Sequence, residues 1–243
     1  MEVHHHPEVE KKGFKEYVLE GLMIFLAVMM GFFAESIREN ITNREHAEQL
    51  VMQLVRDVKG DTTYLKEIDS AESVILKKED TLAVLLKQPL AAADSKNIQR
   101  LVVQSSSLWP FYPNTGAIAS IKNELRLKQF SRTNIGNYIA KYEGRISILL
   151  KIEEIHHQNL GKYLEPFMRL HFTSDNLSAA FNGGAIANGQ MRNLTQNDLT
   201  QLGVDLVLIK TMNMQLIIYN RRLRDQGHEM LKYVKEKYNL KDE

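Results

Sequence analysis

The chain contains no cysteine, which excludes a disulfide framework, a zinc–thiolate site and a thiol nucleophile. A cysteine-free chain suits oxidising and reducing compartments equally, so location has to be argued from other features. A charge surplus is missing as well: 31 basic residues stand against 30 acidic ones in 243 positions. Nucleic-acid binders that work through bulk electrostatics carry a clear basic excess, and no nucleic-acid partner is expected here. Only 5 prolines and 13 glycines occur, and long stretches lack both, which favours long helices. No Walker loop, no GxGxxG after a strand, no GxSxG and no HExxH is present. No segment reads convincingly as a strand, and there is no internal repeat.

What is present begins with grease. Gly21–Ala34 is 14 residues without a charge, short for a span, which needs about 20 residues at about 1.5 Å each. The longer window "YVLEGLMIFLAVMMGFFAESI" has 21 residues, with Glu20 and Glu35 near its ends, where both carboxylates reach the interface. Tyr17, Phe32 and Phe33 suit the boundary zone. A cleaved signal fits poorly, because cutting after Ala34 would place bulky Phe32 three residues before the cut, where a small side chain is required. A buried core helix fits poorly too, since neighbouring segments are amphipathic and this one is apolar all round. The expectation is an uncleaved transmembrane helix over residues 17–35. Lys11, Lys12 and Lys15 precede it and Arg38 and Arg44 come after it. That bias favours a cytoplasmic N-terminus and a periplasmic C-terminal domain in a single-pass inner-membrane protein.

Residues 1–16 read as a flexible tail, and the His4–His6 triplet reads as polar tail in preference to a metal-binding tract or tag remnant. After the span, Leu50, Leu54, Val58, Leu65, Ile68, Ile75, Leu82 and Leu86 recur at near-helical spacing, broken by polar positions. They predict a stalk helix over 36–88, stopping at Pro89, with a possible interruption near "KGDTT". Residues 89–243 are expected to form an elongated antiparallel helical bundle, making the fold all-α. "DSKNIQRLVVQ" opens a short helix capped by Asp94 or Ser95, and "SSSLWPFYPN" is a loop. From Ile135 a seam runs through Ile139, Tyr142, Ile146, Leu149, Glu153, His156, Leu160, Tyr163 and Phe167 in steps of four and three. Residues 172–196 form a long Gly/Asn/Ala loop. The last helix keeps the same alternation at Leu199, Leu202, Leu206, Ile209, Asn213, Leu216, Asn220 and Leu223. Seam asparagines such as Asn213 and Asn220 fix register and partner number at some cost in stability.

Two stretches, "KEYVLEGLMIFLAVMMGFFAESIREN" and "FYPNTGAIASIKNELRLKQFSRTNIGNYIAKYEGRI", resemble an uncharacterised Bacteroidota family of small membrane proteins. In that family one N-terminal span precedes a helical domain. The "GFFAE" exit and the Pro-Asn-Thr turn before a helix are the most specific parts. The resemblance implies the span and a bacterial envelope location, and it assigns no activity and no functional residues.

Among constellations that could carry chemistry, Glu153 and His156 stand at i, i+3, as in the Glu-x-x-His ligand pairs of di-metal bundles. A second pair is wanting: Asp225 with His228 is the nearest match, and Glu45, His46 and Glu48 on the stalk could contribute only if the helices align. A polar bundle layer with His156 hydrogen-bonded to a neighbour is the preferred reading, so no metal, cofactor or catalytic residue is expected. "FNGGAIAN" is glycine-rich but lacks lysine and a preceding strand. Arg221, Arg222 and Arg224 form a basic cluster, read as a solvated face or, failing that, as a surface for an acidic partner or lipid headgroups. Glu20 could couple ions in a stator or transporter accessory, although it lies one turn from the end, where it can snorkel. Ala27-x-x-x-Gly31 would let a second helix approach closely. These features together favour a non-enzymatic, membrane-anchored scaffold or accessory subunit, with the bilayer and protein partners or further copies of itself as its contacts.

Overall fold

The computed structural model of the chain describes residues 13–125 and 128–240. All regular structure among them is helical: α1 (Phe14–Leu85), α2 (Ser95–Ser105), α3 (Gly116–Asn123), α4 (Lys128–Ser131), α5 (Ile135–Tyr163), α6 (Glu165–His171), α7 (Ser174–Phe181) and α8 (Gln196–Tyr238), with a single 3-10 turn at Leu90–Ala92. The chain divides into two compact units, and the boundary falls inside α1, between Gln49 and Leu50.

In the first unit, helix begins at Phe14, earlier than the tail expected through residue 16; the His4–His6 triplet lies outside the described residues. Large apolar side chains from Phe14 through Phe25 and Phe33 to Ile41 are exposed. A second helix, α8, is also long and apolar enough to cross a membrane, but a third of its window (33%) is buried, against none of the α1 window.

The second unit is built on three long helical segments: residues 50–85 of α1, α5 and α8. Residue pairs give their directions. Asp69 meets Arg221 and Arg224, and Glu79 meets Asn213, so α1 and α8 run antiparallel. Tyr138 stacks on Tyr233 at 4.4 Å and the α5 and α8 seams meet again near His156 and Asn220, so α5 is antiparallel to α8 as well. The α1 seam is regular: Val58, Asp61, Leu65, Ile68, Glu72, Ile75, Glu79, Leu82 and Leu86 alternate steps of three and four, and all are buried. Such a seam keeps one stripe facing the partner helices. The break anticipated near "KGDTT" is absent, and α1 runs unbroken through it. It ends at Leu85, four residues ahead of Pro89, and Pro89 bars the helix from continuing through Gln88.

Beyond the three-helix section, Ile98, Val102, Leu160, Phe167, Phe172, Leu199 and Leu206 build an apolar cluster where α2, α6 and α7 close the bundle. The long loop expected over 172–196 is corrected here. It contains α7, whose Thr173 cap accepts from the backbone of Asn176 at 3.3 Å. The segment between α7 and α8 is pinned by Asn176 Nδ2 donating to the carbonyls of Asn188 and Gln190 (3.0 and 3.2 Å), and by Arg192 N–H donating to the His171 carbonyl at 2.8 Å. Helix α8 opens with a capping box, Thr195 with Asp198, which satisfies two backbone donors reciprocally.

Gly227 marks the tightest approach in this unit. A Cβ there would lie 2.7 Å from Thr62 Cγ2, 3.3 Å from Val58 Cγ1 and 3.4 Å from Tyr142 Cε2. Only a residue without a side chain lets α1, α5 and α8 come this close.

Candidate functional site

The bundle seam carries three polar layers, and each is a set of side chains that the three-four spacing turns inward. At Gly227 the layer is Asp61, which accepts from Asn114 N–H (3.1 Å), Asn114 Nδ2 (2.7 Å) and Tyr142 Oη (3.0 Å). Asp57, one turn earlier, accepts from Ala117 N–H at 3.3 Å. These two carboxylates fasten the Pro-Asn-Thr turn and the start of α3 to α1. Burial pushes the Asp61 carboxyl up despite those donors.

A second layer pairs Glu79 with Asn213, whose Nδ2 donates to Glu79 Oε1 at 2.5 Å. Burial raises the Glu79 carboxyl to about 8, with the Asn213 bond opposing and the charge of Glu72 adding.

The third layer opens into a cavity of about 310 Å³. Glu72 comes from α1, Glu153 and His156 from α5, Asn220 from α8, and Ile68, Leu150 and Leu216 supply apolar lining from the same helices. The 107–113 loop closes it with Leu108, Trp109 and Pro110. That loop is held at three points. Phe111 N–H donates to Glu153 Oε1 at 3.0 Å, Tyr64 Oη donates to the Pro110 carbonyl at 3.1 Å, and the buried Phe111 ring stacks on Tyr64 at 6.4 Å. The bulk seen in "WPFYP" is therefore divided: Phe111 anchors, while Trp109 stays half exposed beside the cavity.

The polar lining is under-satisfied. Glu72 Oε2, both ring nitrogens of His156 and Asn220 Oδ1 are buried without a hydrogen-bond partner. The expected hydrogen bond from His156 to a neighbour is thus not formed. Buried polar atoms are nearly always paired, and each exception calls for a physical reason. Burial, then the charges of Glu153 and Asp69, raise Glu72 to about 7. Burial raises Glu153 to about 7 against the opposing Phe111 N–H. The His156 imidazole is held neutral, pushed down to about 4 by burial and by His157. Two carboxyl groups that share protons near neutrality beside a neutral imidazole can accept donors from a guest and can exchange protons with it.

The structure brings Glu153 and His156 to one cavity, but Asp225 and His228 are exposed on α8, and Glu48 pairs with Arg44 at 2.9 Å. No group of three or more His, Asp or Glu side chains among the described residues is placed to hold a metal ion, so the di-metal arrangement lacks its ligand set. Asn213 and Asn220 both face inward. Arg221 and Arg224 reach Asp69 at 3.0 and 3.3 Å, and Arg222 lies over the Tyr219 ring at 5.1 Å. Two of the three arginines thus hold α8 to α1 through one largely buried carboxylate. Tyr17, Glu20, Gly21, Ala27, Gly31, Phe32, Phe33 and Glu35 are exposed on α1, Gly31 has open space around it, and Glu35 pairs with Arg38 at 2.9 Å. Sequence reasoning missed Glu72, Asp61 and Glu79. Their signal was present as the polar positions that interrupt the apolar spacing of α1, each of them on the seam itself.

No protein-family profile, no curated protein and no solved structure matches this chain.

Proposed function

We propose that this protein is a single-pass, membrane-anchored accessory or scaffold protein of the bacterial inner membrane, with residues 17–35 spanning the bilayer and the helical bundle in the periplasm. The observation that carries this reading is the start of α1, where large apolar side chains on every face are exposed and none of the apolar window is buried. Transfer of such a surface out of water is favourable by about 25 cal/mol per Å², far beyond what a reversible interfacial anchor offers. The lysines at 11, 12 and 15 support the cytoplasmic N-terminus, and the resemblance of "GFFAE" and "FYPNTG" to the Bacteroidota membrane family supports the envelope location.

Action through protein partners or further copies has two supports. Ala27 and Gly31 leave a small-residue face uncovered. On α8, Val204, Val207, Leu208, Met214 and Ile218 are exposed and fall within about a third of the helix circumference at 3.6 residues per turn. Alkaline carbonate extraction tests the anchor, and the protein should stay in the pellet. Protease added to spheroplasts tests the side and should remove the bundle. Recovery in the carbonate supernatant rejects the anchor, and protection of the bundle until lysis reverses the orientation.

A further inference from the structure

We propose that the cavity between α1, α5, α8 and the Trp109 loop is a binding site for a small primary ammonium ion carrying an apolar body. The argument starts from what the lining lacks. Three buried side chains present atoms with no partner: Glu72, 2% exposed, and His156 and Asn220, each 1% exposed. Glu72 Oε2 and Asn220 Oδ1 are acceptors, and a neutral imidazole offers one acceptor nitrogen in either tautomer. Three acceptors therefore lack donors among the residues lining one cavity, and a single donor, the imidazole N–H, lacks an acceptor. An alkylammonium group carries three N–H donors and a positive charge.

Charge points the same way. The cavity is lined by acidic groups, and neither lysine nor arginine lines it. On α8 the guanidinium groups of Arg221 and Arg224 are engaged by Asp69. An anionic guest would meet Glu72 and Glu153 without a counter-charge. Water could supply two donors but no charge, and would leave the carboxyl groups protonated near neutrality. An ammonium guest lets both ionise, and hydrogen bonds to ionised groups are about twice as strong as neutral ones. The rest of the guest is set by the apolar lining, where Leu108, Trp109 and Leu216 offer hydrocarbon and one aromatic face. At about 310 Å³ the cavity lies near the lower end of the ~300–1,000 Å³ typical of ligand sites, which restricts the guest to a short amine.

The proton linkage comes from the groups facing the pair. Glu72 faces Asp69 and Glu79 on its own helix and Glu153 and His156 on α5, while the α8 arginines bind Asp69; Glu154 and His157 complete the α5 side of the lining. With Glu72 and Glu153 both near 7 and the amine protonated throughout, as lysine is below about 10.4, binding tightens from pH 6 to pH 8.

The chain has one tryptophan, Trp109, so its fluorescence reads the site directly. The full-length protein in mild detergent is titrated with n-butylammonium chloride, with n-butanol and sodium chloride as matched controls. The expected result is a saturable change with the amine alone, with an affinity that rises with pH. Glu72→Gln and Glu153→Gln are each expected to weaken binding on the order of tenfold or more. An equal saturable response to n-butanol, no saturable response to the amine, an affinity that does not change with pH, or undiminished binding in Glu72→Gln overturns the proposal. The comparison of amine with alcohol uses only the unaltered chain, so it stands even if a variant fails to fold.

Discussion

Helix α1 passes through two regions that share one backbone geometry and differ in where their apolar side chains fall. From Phe14 to Ile41 large apolar residues occupy every face and are exposed. From Leu50 to Leu86 most of them fall in one buried stripe, with Asp61, Glu72 and Glu79 set into it, and only Met52, Val74 and Val84 are exposed. A helix uniformly apolar around its circumference needs an apolar solvent, whereas one with a single seam needs only two partner helices. The acids teach something further. In the first region Glu20 and Glu35 stand at the ends of the apolar run, but in the second the acids lie in the core, where donors from Asn114, Tyr142 and Asn213 reach two of the three.

The largest effect is expected from breaking the first region. Phe25→Arg with Val28→Arg places two charges in the middle of the apolar run, which in a bilayer costs about 2.5–3.5 kcal/mol each, roughly 5–7 kcal/mol together. Carbonate extraction should then release the protein. The matched pair Val74→Arg and Val84→Arg, at exposed positions of the bundle stretch, should change stability by no more than about 0.5 kcal/mol each. If the span variant pellets as firmly as the parent, the two regions do not differ in solvent.

Next in size is the Asp61 layer. Asp61→Ala strands the Asn114 and Tyr142 donors in the interior, at a cost of about 2–4 kcal/mol. Urea unfolding of the detergent-solubilised protein measures it, and a loss below about 1 kcal/mol would show that the turn does not depend on this carboxylate.

Gly227→Ala should cost less. Crowding of Thr62 and Val58 penalises it by about 1–3 kcal/mol, and the better helix propensity of alanine returns up to about 1 kcal/mol. The net expectation is a destabilisation of about 1–2 kcal/mol, whereas the same change at Gly203, with open space around it, should be stabilising. Equal signs at the two glycines would contradict the close approach.

The smallest effect is the most specific. Glu72 and Glu153 near 7 and Glu79 near 8 bind protons in the folded state that the unfolded chain has lost above its carboxylate range near 4.5. Their contribution is complete below that range and is lost as pH rises through about 7–8. His156, lowered to about 4 from 6.5, contributes in the opposite direction, gaining between those values. Above pH 6.5 the gain from His156 levels off and the carboxyl groups outweigh it, so the urea midpoint should fall from pH 6.5 to pH 8.5. Glu79→Gln removes the Glu79 share of that loss and should flatten the fall. A midpoint that rises over this interval would refute the raised values.

Much of the architecture was legible in residue order. The α5 and α8 seams, including Asn213 and Asn220, appear in the fold at the positions their three-four spacing indicates, because helical periodicity is a local property. The candidate site was half legible. Glu153 and His156 stood out as i, i+3 neighbours, whereas Glu72 was hidden among positions that only broke the apolar pattern. Helix α7 escaped notice because "TSDNLSAAF" is only about two turns long, too short to establish a period, although its Thr173 cap is a local signal.

Composition and periodicity by themselves determined the helical class, the apolar segment around residues 17–35 and which faces turn inward, since side-chain chemistry and the 3.6-residue turn suffice for each. Tertiary structure alone decided the rest. It brought Glu72 to Glu153 across 81 positions and folded the Trp109 loop over them. It brought Arg221 and Arg224 to Asp69 and made Gly227 the contact point of three helices. Each of those depends on register between helices distant in sequence, and the spacing within a single helix carries no information about its partner's register.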